Sequence, residues 1–506
     1  MAKKIDYKSL GPYETHQLLH TRPDESAFIT VTQFQKISIL ILIILASVFI
    51  LHAGFNIDVM YANILNLILI INLLFTLFYV LHSFYKLFLI TLSTMRSNQI
   101  VVTAEEISQL KDEDCPVYTI LIPLYHETET LKKLAGSISE LDYPKDKLDV
   151  KLLLEEDDQS TIEYAESLNL PSYFDRIIVP HSMPKTKPKA CNLGLSKAKG
   201  KYLVIYDAED RPEPDQLKKA VIGFHKAKEG VICLQAKLNF YNRHQNILTR
   251  WFTAEYSTWF DLYLPGLGEI NSPIPLGGTS NHFVTAVLNE LGGWDPYNVA
   301  EDCDLGIRLY RHGYRTQMLD STTWEEACAN LPYWIRQRSR WIKGYIQTYL
   351  VHSRQPFKLI KDLGLLNWLN FQFVIGGNFL CFLLNPIYWL LVILWFMTRM
   401  EAFNVIFPPS VFVMGAICLF IGNFSFIYIT AIGSYRRKYY DLVKYSLVIL
   451  PYWVLMSIGA WKGFLQLLFK PHYWEKTKHG FFTEHDETKQ LQKVEPLPEM
   501  SDIKKN

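Results

Sequence analysis

The sequence predicts an α/β domain with a mostly parallel sheet, placed between two blocks of α-helical membrane segments. Three observations lead to this prediction. Two long apolar runs lie within the first 100 residues, short apolar runs alternate with helical periodicity in residues 114–350, and a second apolar block covers residues 362–470. Strands that alternate with helices are typical of a parallel sheet with helices on both faces.

Composition narrows the function classes. The 506 residues carry a formal net charge of +1, and hydrophobic residues make up 49% of the chain. A charge so close to zero gives no indication of a nucleic-acid partner. The seven cysteines are scattered and form no CxxC motif. Such a set is a poor disulfide framework, so we expect the middle of the chain in a reducing, cytosolic compartment.

Residues 1–100 are expected to hold two transmembrane helices. The runs 37–51 and 61–81 are almost wholly apolar, and with their flanks each reaches the roughly 20 residues that a bilayer-spanning helix needs. Lys36 precedes the first run, Lys86 and Arg96 follow the second, and the short connection between the runs has no Lys or Arg. The positive-inside rule then predicts a hairpin with both outer ends in the cytosol.

Residues 114–350 are expected to form one soluble domain. Five strand-like runs and two helical stretches stand out in it: 117–124, 150–154, 177–179, 202–206 and 231–238 for the strands, 129–141 and 214–227 for the helices. Ligands of such sheets bind beyond the carboxyl ends of the strands, so chemistry is expected in residues that directly follow them.

The second apolar block, residues 362–470, predicts three or four crossings. Asn385-Pro386, Pro408-Pro409 and the basic stretch 436–438 interrupt it. The basic stretch and the Lys-rich segment after Trp474 both favour the cytosol, yet one plain helix separates them. Either one segment lies in the interface, or Pro451 breaks the last segment into a re-entrant pair. Residues 471–506 are expected to be a polar cytosolic tail.

Three acids follow the fourth strand-like run, at Asp207, Glu209 and Asp210. Acids this close repel one another, and a divalent cation such as Mg²⁺ or Mn²⁺ would relieve that repulsion while meeting substrate phosphate oxygens. The alternative is an exposed acidic loop that caps the helix starting near Pro214.

Two further motifs lie downstream. Glu301-Asp302 precedes a predicted helix at residues 305–312, and one of these carboxylates could deprotonate an acceptor hydroxyl. Helix capping explains the same acids. Gln337, Arg340 and Trp341 lie on an amphipathic stretch, where an indole and a guanidinium could hold a sugar and a phosphate. An interfacial belt of Trp and Arg is the alternative.

Other polar residues lie near strand ends. Lys189 and Asn192 open a helix after a basic run, a position that suits a phosphate, although it could equally be a solvated face. Glu127, Asp157 and Asp158 come just after two of the strand-like runs. Without more context these three read as surface acids.

Taken in order, these motifs resemble the family 2 glycosyltransferases, which include cellulose, hyaluronan and exopolysaccharide synthases. That family carries an acidic residue, a DxD, a [TE]D and a QxxRW motif on a GT-A fold. Here they correspond to Asp157/Asp158, residues 207–209, Glu301-Asp302 and residues 337–341. The resemblance covers residues 117–480. Two positions depart from the pattern, since Glu209 replaces the second Asp of DxD and Gln159 replaces a Gly.

The resemblance implies a role for each residue. Asp302 would be the catalytic base, and Asp207 with Glu209 or Asp210 would hold Mg²⁺ or Mn²⁺. The remaining roles fall into two groups: Pro123, Tyr125, Glu127, Asp157, Asp158, Lys189, Asn192 and Asp207 for the nucleotide-sugar, and Gln337, Arg340, Trp341, Gly278 and Thr279 for the diphosphate and the acceptor.

The function implied is an inverting transfer from a UDP-sugar to a growing polysaccharide, at the cytosolic face of the cell (inner or plasma) membrane and coupled to export. Its partners would be the UDP-sugar, a glycan acceptor and the lipid bilayer, with export or regulatory subunits unknown. One alternative adds a single sugar to a lipid-linked acceptor. A transporter with a nucleotide-binding domain and a catalytically silent scaffold are others.

Overall fold

The computed structural model describes residues 11–52 and 56–475. The predicted polar tail beyond residue 475 lies outside these ranges, as do the first ten residues and residues 53–55.

Four helices precede the sheet: α1 (Gln17–Thr21), α2 (Gln33–Leu51), α3 (Ile57–Met95) and α4 (Ala104–Gln109). Thr32 caps α2, because its side chain accepts from the Gln35 N–H while the Gln35 side chain accepts from the Thr32 N–H. Helix α3 has 39 residues. At 1.5 Å per residue it is about 58 Å long, nearly twice the hydrocarbon thickness of a bilayer. The predicted run 61–81 is only its apolar middle.

One eight-stranded sheet organises the central domain, with strands β1 (Tyr118–Leu124), β2 (Leu148–Glu155), β3 (Phe174–Val179), β4 (Tyr202–Ile205), β5 (Arg211–Pro212), β6 (Val231–Phe240), β7 (Asn281–Val284) and β8 (Arg315–Glu325). The strand order is β3-β2-β1-β4-β7-β6-β8-β5. Strand β1 runs parallel to β2 and β4, whereas β7 runs antiparallel to β4 and β6. The predicted α/β class with a mostly parallel sheet is confirmed, and all five predicted strands are present.

Nine helices of this domain are described: α5 (Thr128–Ser139), α6 (Gln159–Ser167), α7 (Lys187–Ser196), α8 (Gln216–Lys226), α9 (Ile247–Thr258), α10 (Leu264–Glu269), α11 (Thr285–Glu290), α12 (Glu301–Arg311) and α13 (Leu331–His352). Helices α5 and α8 confirm the two predicted helical stretches. The helix predicted from residue 305 is wrong at its start, because α12 begins at Glu301 and includes the acidic pair.

Both faces of the sheet are buried. Along β4, Tyr202 and Val204 belong to one apolar cluster, whereas Leu203 and Ile205 belong to the cluster on the opposite face. Successive side chains of a strand point to opposite faces, so a strand covered on both sides reads as a continuous apolar run. This is why the central strands stood out in the sequence, and why polar residues begin where they end.

The C-terminal block contains α14 (Pro356–Leu363), α15 (Leu365–Phe371), α16 (Gly377–Thr398), α17 (Ala402–Ile406), α18 (Pro409–Ile417), α19 (Asn423–Arg436), α20 (Tyr440–Ser446) and α21 (Leu450–Phe469). Short π-helical turns join α15 to α16 and α18 to α19. The described part of the chain has four helices long and apolar enough to cross a membrane, of which residues 365–398 and 409–436 lie in this block.

The last two helices form a bent pair. Helices α20 and α21 meet at 70° and together pass the length and composition test, which raises the total to five. The bend lies at residues 447–449, and Pro451 is the second residue of α21. Among the described residues, the C-terminal block therefore has two helices that could span a membrane, or three such segments if the bent pair is one span, and the number of crossings stays a prediction. These helices are compatible with a multi-pass membrane protein.

Candidate active site

Strand β4 ends at the acidic turn. Asp210 is 1% exposed, and its Oδ2 accepts bonds from the Asp207 N–H at 2.7 Å and from the Thr279 hydroxyl. Asp210 therefore ties the turn to the loop before β7. Asp207 and Glu209 instead line a cavity of about 330 Å³. Of the two acids considered as the partner of Asp207, the structure turns Glu209 towards the cavity.

The acidic turn holds more negative charge than it can stabilise alone. Burial, with the charges of Asp207 and Glu127, raises the pKa of Glu209 to about 8. Burial, with Asp207 and Glu209, also raises the pKa of Asp210 well above its usual range. Among the described residues no three His, Cys, Asp or Glu side chains form a ready-made metal cage. Asp207 and Glu209 still fit a Mg²⁺ or Mn²⁺ ion whose remaining ligands are substrate phosphate oxygens and water.

Lys187 reaches the cavity beside the acidic turn. It is the first residue of α7, and its Nζ lies 2.5 Å from Asp207 Oδ1 and 2.7 Å from the Gly278 carbonyl oxygen. Burial alone would lower the pKa of Lys187, but Asp207 and Glu301 raise it above its ordinary value. In the sequence, Lys187 is recognisable only as part of a basic run. Its position at the N-terminus of a helix after β3 was the available signal.

Lys189 and Asn192 point into the protein instead. Lys189 is fully buried, and its Nζ donates to Glu155 Oε2 at 2.9 Å. Asn192 donates to the carbonyl oxygens of Thr15 and Trp294. Both side chains face the packed side of α7, so their polar atoms are bonded within the protein, and their place beside the nucleotide stays a prediction.

The catalytic-base candidate lies in the first turn of α12. Asp302 lines the cavity, and its Oδ1 accepts from the Cys303 N–H at 2.7 Å. Asp302 Oδ2 lies 3.4 Å from the position that a Cβ at Gly278 would take, so the missing side chain leaves this oxygen accessible. Burial raises the pKa of Asp302 and raises that of Glu301 to about 8. A carboxylate with a raised pKa is a stronger general base.

The motif on α13 also contributes to the lining of the cavity. Gln337, Arg340 and Trp341 line the cavity together with Gly278 and Thr279. The Arg340 guanidinium lies 4.4 Å from the ring centre of Trp474, a residue beyond the last membrane helix that also lines the cavity.

Arg338, between these motif residues, has a different role. Its guanidinium donates to both carboxylate oxygens of Glu255 and to the Tyr452 hydroxyl at 2.7 Å. Because Tyr452 lies on α21, this cluster joins the catalytic domain to the bent membrane segment.

Apart from Asp207, the residues predicted to bind the nucleotide-sugar lie outside the lining of the main cavity. Strand β1 carries Pro123, and Tyr125 follows it with Lys185 Nζ at 4.9 Å from its ring centre. Glu127 precedes α5, where it accepts from the Thr130 hydroxyl at 3.1 Å. The structure groups these residues at the carboxyl ends of β1 and β2.

The acidic pair divides into two roles. Asp158 caps α6 by accepting from the Thr161 N–H at 3.3 Å, and it also accepts from the His126 N–H at 2.5 Å. Burial alone would raise its pKa, but the bonds from Thr161, His126 and Ser160 lower the pKa of Asp158 to about 2. Asp157 is more exposed and pairs with Lys185. Asp158 therefore shapes the loop, and Asp157 faces outward.

Two further cavity residues were not predicted as site residues. Glu325 ends β8 and lines the cavity, where burial and the acids of the turn after β4 raise its pKa well above the usual range. An acid at a strand end was the available signal. Trp474 lies in the segment after α21, and it reaches the site only because α21 brings the chain back to α13.

The chain was compared with known proteins. It matches the family model "Glycosyl transferase family group 2" over residues 202–456 and "Glycosyl transferase family 2" over residues 119–280. The probable glycosyltransferase YdaM of Bacillus subtilis is 27% identical over 251 residues, which cover 49% of this chain and 59% of that protein. The probable glucomannan 4-beta-mannosyltransferase 7 of Oryza sativa subsp. japonica is 28% identical over 246 residues, which cover 45% of this chain and 40% of that protein.

The chain thus spans 59% and 40% of the lengths of these two relatives. Among solved structures, a mannosyltransferase, PcManGT from Pyrobaculum calidifontis, in complex with GDP-Man and Mn²⁺, is 17% identical with a TM-score of 0.45, covering 80% of this chain and 99% of that one.

Proposed function

This chain belongs to the family 2 glycosyltransferases, and we propose that it transfers a sugar from a UDP-sugar to a growing polysaccharide with inversion, forming β-linkages. The observation that carries the proposal is the continuity of one cavity. Asp207, Glu209 and Asp302 line it at the sheet, and Phe426 and Trp453 line it between membrane helices. A chain growing at Asp302 would be directed into the membrane block, which couples synthesis to export.

The mechanism we propose is a single in-line displacement. Asp302 removes the proton of the acceptor hydroxyl while that hydroxyl attacks the anomeric carbon. Lys187 and Arg340 face the charge that develops on the departing nucleotide diphosphate. When bound, a divalent cation at Asp207 and Glu209 neutralises part of that charge. One displacement inverts the anomeric configuration, so an α-linked donor gives a β-linked product.

The acceptor would lie against aromatic side chains. Phe252, Tyr256 and Trp341 line the cavity beside Asp302 and the QxxRW motif. Trp341 lies 6.3 Å from Tyr256 between ring centres, and aromatic faces are suited to the apolar faces of sugar rings. We propose residues 114–350 as the cytosolic catalytic domain, with residues 1–100 and 362–470 as the membrane blocks. Subunits for export or regulation stay unknown.

A second candidate is the addition of one sugar to a lipid-linked acceptor. The specific observation that favours it is that the cavity reaches Lys86 on α3, among the membrane helices. Product length separates the two candidates, because repeated addition gives long chains whereas single addition gives one lipid-extractable species.

The test is a donor panel on the full chain in liposomes with Mg²⁺ or Mn²⁺. UDP-sugars are offered one at a time, with GDP-mannose included because the rice relative is named as a mannosyltransferase. Release of UDP with label in long, glycosidase-sensitive product supports the proposal. If nucleotide is released from GDP-mannose but from no UDP-sugar, the donor assignment is corrected to GDP-mannose. If no offered donor gives nucleotide release with either metal, the proposal is rejected.

A further inference from the structure

The membrane end of the cavity differs from the catalytic end in its charge. A smaller space of about 50 Å³ shares Lys86, Asn378 and Phe426 with the main cavity and extends to His82 and Asn423. The residues that line it include no carboxylate. Its volume exceeds the ~15 Å³ that a single water requires, so it can hold a small polar group.

Lys86 has no counter-ion in this space. The described residues offer it no ion pair, and its ammonium lies 4.8 Å from the ring centre of Phe426. Glu255, on the wall of the main cavity, already accepts bonds from Arg338 and from the Tyr452 hydroxyl. In the sequence, Lys86 counted only as a basic residue that follows the second apolar run. The structure adds that its side chain lines the cavity between the helices.

His82 lies one turn before Lys86 on the same face of α3. It is 2% exposed, and neither ring nitrogen has a hydrogen-bond partner among the described residues. A Cβ at Gly377 would lie 2.5 Å from the His82 ring, so only a glycine at that position leaves space for the imidazole. The π-helical turn Gln372–Gly376 directly precedes this glycine, and such turns are frequent at functional sites.

The arrangement is costly unless a ligand completes it. An uncompensated charge inside a protein costs several kcal/mol, and an ionisable side chain among membrane helices marks a functional site by default. A neutral glycan supplies no counter-charge. A phosphate supplies charge and several acceptor oxygens, which match the ammonium of Lys86, an N–H of His82 and the amides of Asn378 and Asn423.

We propose that this site, formed by His82, Lys86, Asn378 and Asn423, binds a phosphate group carried by the acceptor. The inference rests on the proposed function, because it takes the cavity to be the acceptor's path. The phosphate can belong to an isoprenoid carrier, which enters from the bilayer, or to a phosphorylated sugar, which enters from water. The chemistry recognised is the same in both cases.

The test measures binding, so that it does not depend on turnover. The full chain in a non-ionic detergent is titrated with farnesyl phosphate against farnesol, and with mannose 1-phosphate against mannose, by calorimetry. We expect binding of one phosphate compound and not of its neutral counterpart. Lys86→Gln should weaken that binding roughly 30-fold, because it removes one partner of a buried charge pair. Binding of farnesyl phosphate would identify the isoprenoid carrier as the source of the phosphate. Binding of mannose 1-phosphate would identify a phosphorylated sugar as its source.

Two further variants complete the test. Lys36→Gln, at an exposed lysine on α2, should bind as the wild type does. Lys86→Arg keeps the charge and should retain most of the binding. It serves as the second variant if Lys86→Gln does not fold. Equal binding by wild type and a folded Lys86→Gln, or no preference for phosphate over the neutral compounds, overturns the inference. Donor turnover is measured separately, so its loss counts against the proposed function alone.

Discussion

The two ends of the central cavity have opposite charge. At the sheet, Asp207, Glu209 and Asp302 are crowded together with raised pKa values at Glu209 and Asp302. Among the described residues, only Lys187 pairs with an acid of this group at salt-bridge distance. At the membrane helices, Lys86 and His82 line a space without any carboxylate. The acidic end has more carboxylates than cations, whereas the space at the membrane helices has a lysine and no carboxylate. A diphosphate leaving group with its cation suits the first end, and an acceptor's anion suits the second.

The largest effect is expected at Asp302. Asp302→Asn keeps the shape of the side chain but removes the base, so transfer should fall by about three orders of magnitude, within the range for general-base catalysis. UDP binding, measured by calorimetry, should stay within a factor of about two. Asp142→Asn, at an exposed surface acid, is the matched control. Retained turnover in the Asp302 variant would reject the base assignment.

The next effect concerns the cation. Glu209→Gln removes one of the two carboxylates proposed to hold the cation, so the Mn²⁺ concentration for half-maximal transfer should rise, and turnover should fall about 100-fold. A manganese titration of donor turnover gives both values. Asp210→Asn tests the other acid, whose Oδ2 is held by Thr279. An unchanged titration for Glu209→Gln would exclude Glu209 as a ligand.

Two neighbouring lysines should behave differently. Lys187→Gln should lower turnover about tenfold with little change in Tm, because its Nζ faces the acids of the cavity. Lys189→Gln should leave Glu155 buried without its partner and cost about 3 kcal/mol of stability. Thermal unfolding and initial rates are measured on both variants. If Lys189→Gln instead lowered turnover and Lys187→Gln lowered stability, Lys189 would be the lysine that contacts the phosphate.

A further effect concerns the pH dependence of stability. Glu209 and Glu301 have pKa values raised from 4.5 to about 8, so between these values the unfolded chain binds fewer protons than the folded chain. The free energy of unfolding must then fall as pH rises through that window. We expect the Tm without divalent cation to decrease from about pH 5 to about pH 8.

The same measurement has two controls. Glu301→Gln removes one titrating group, so it should flatten the decrease of Tm with pH. At the upper pH, Mn²⁺ should raise the Tm of the wild type more than that of Glu209→Gln, because the ion binds the ionised carboxylate of Glu209. A Tm independent of pH would show that neither carboxyl holds its proton in the folded chain.

The positions of the acids were predictable from residue order. Buried strands read as apolar runs, and the carboxyl ends of parallel strands meet at one edge, so Asp207 after β4 was expected near the other strand-end residues. The long apolar stretches predicted the membrane blocks for a similar reason, since a helix in lipid needs uninterrupted apolar length. The local sequence pattern is sufficient to predict strand ends and membrane helices, because each depends on the residue periodicity of a single element.

Only the tertiary structure showed which side chains meet. Whether Glu209 or Asp210 faces the cavity depends on Thr279, a residue far along the chain that holds Asp210. Whether Lys86 reaches lipid headgroups or a cavity depends on how α16 and α19 pack against α3. The direction of a side chain on a turn, or on one face of a helix, is set by elements that are distant in sequence. The residue periodicity within one element carries no information about how those distant elements pack.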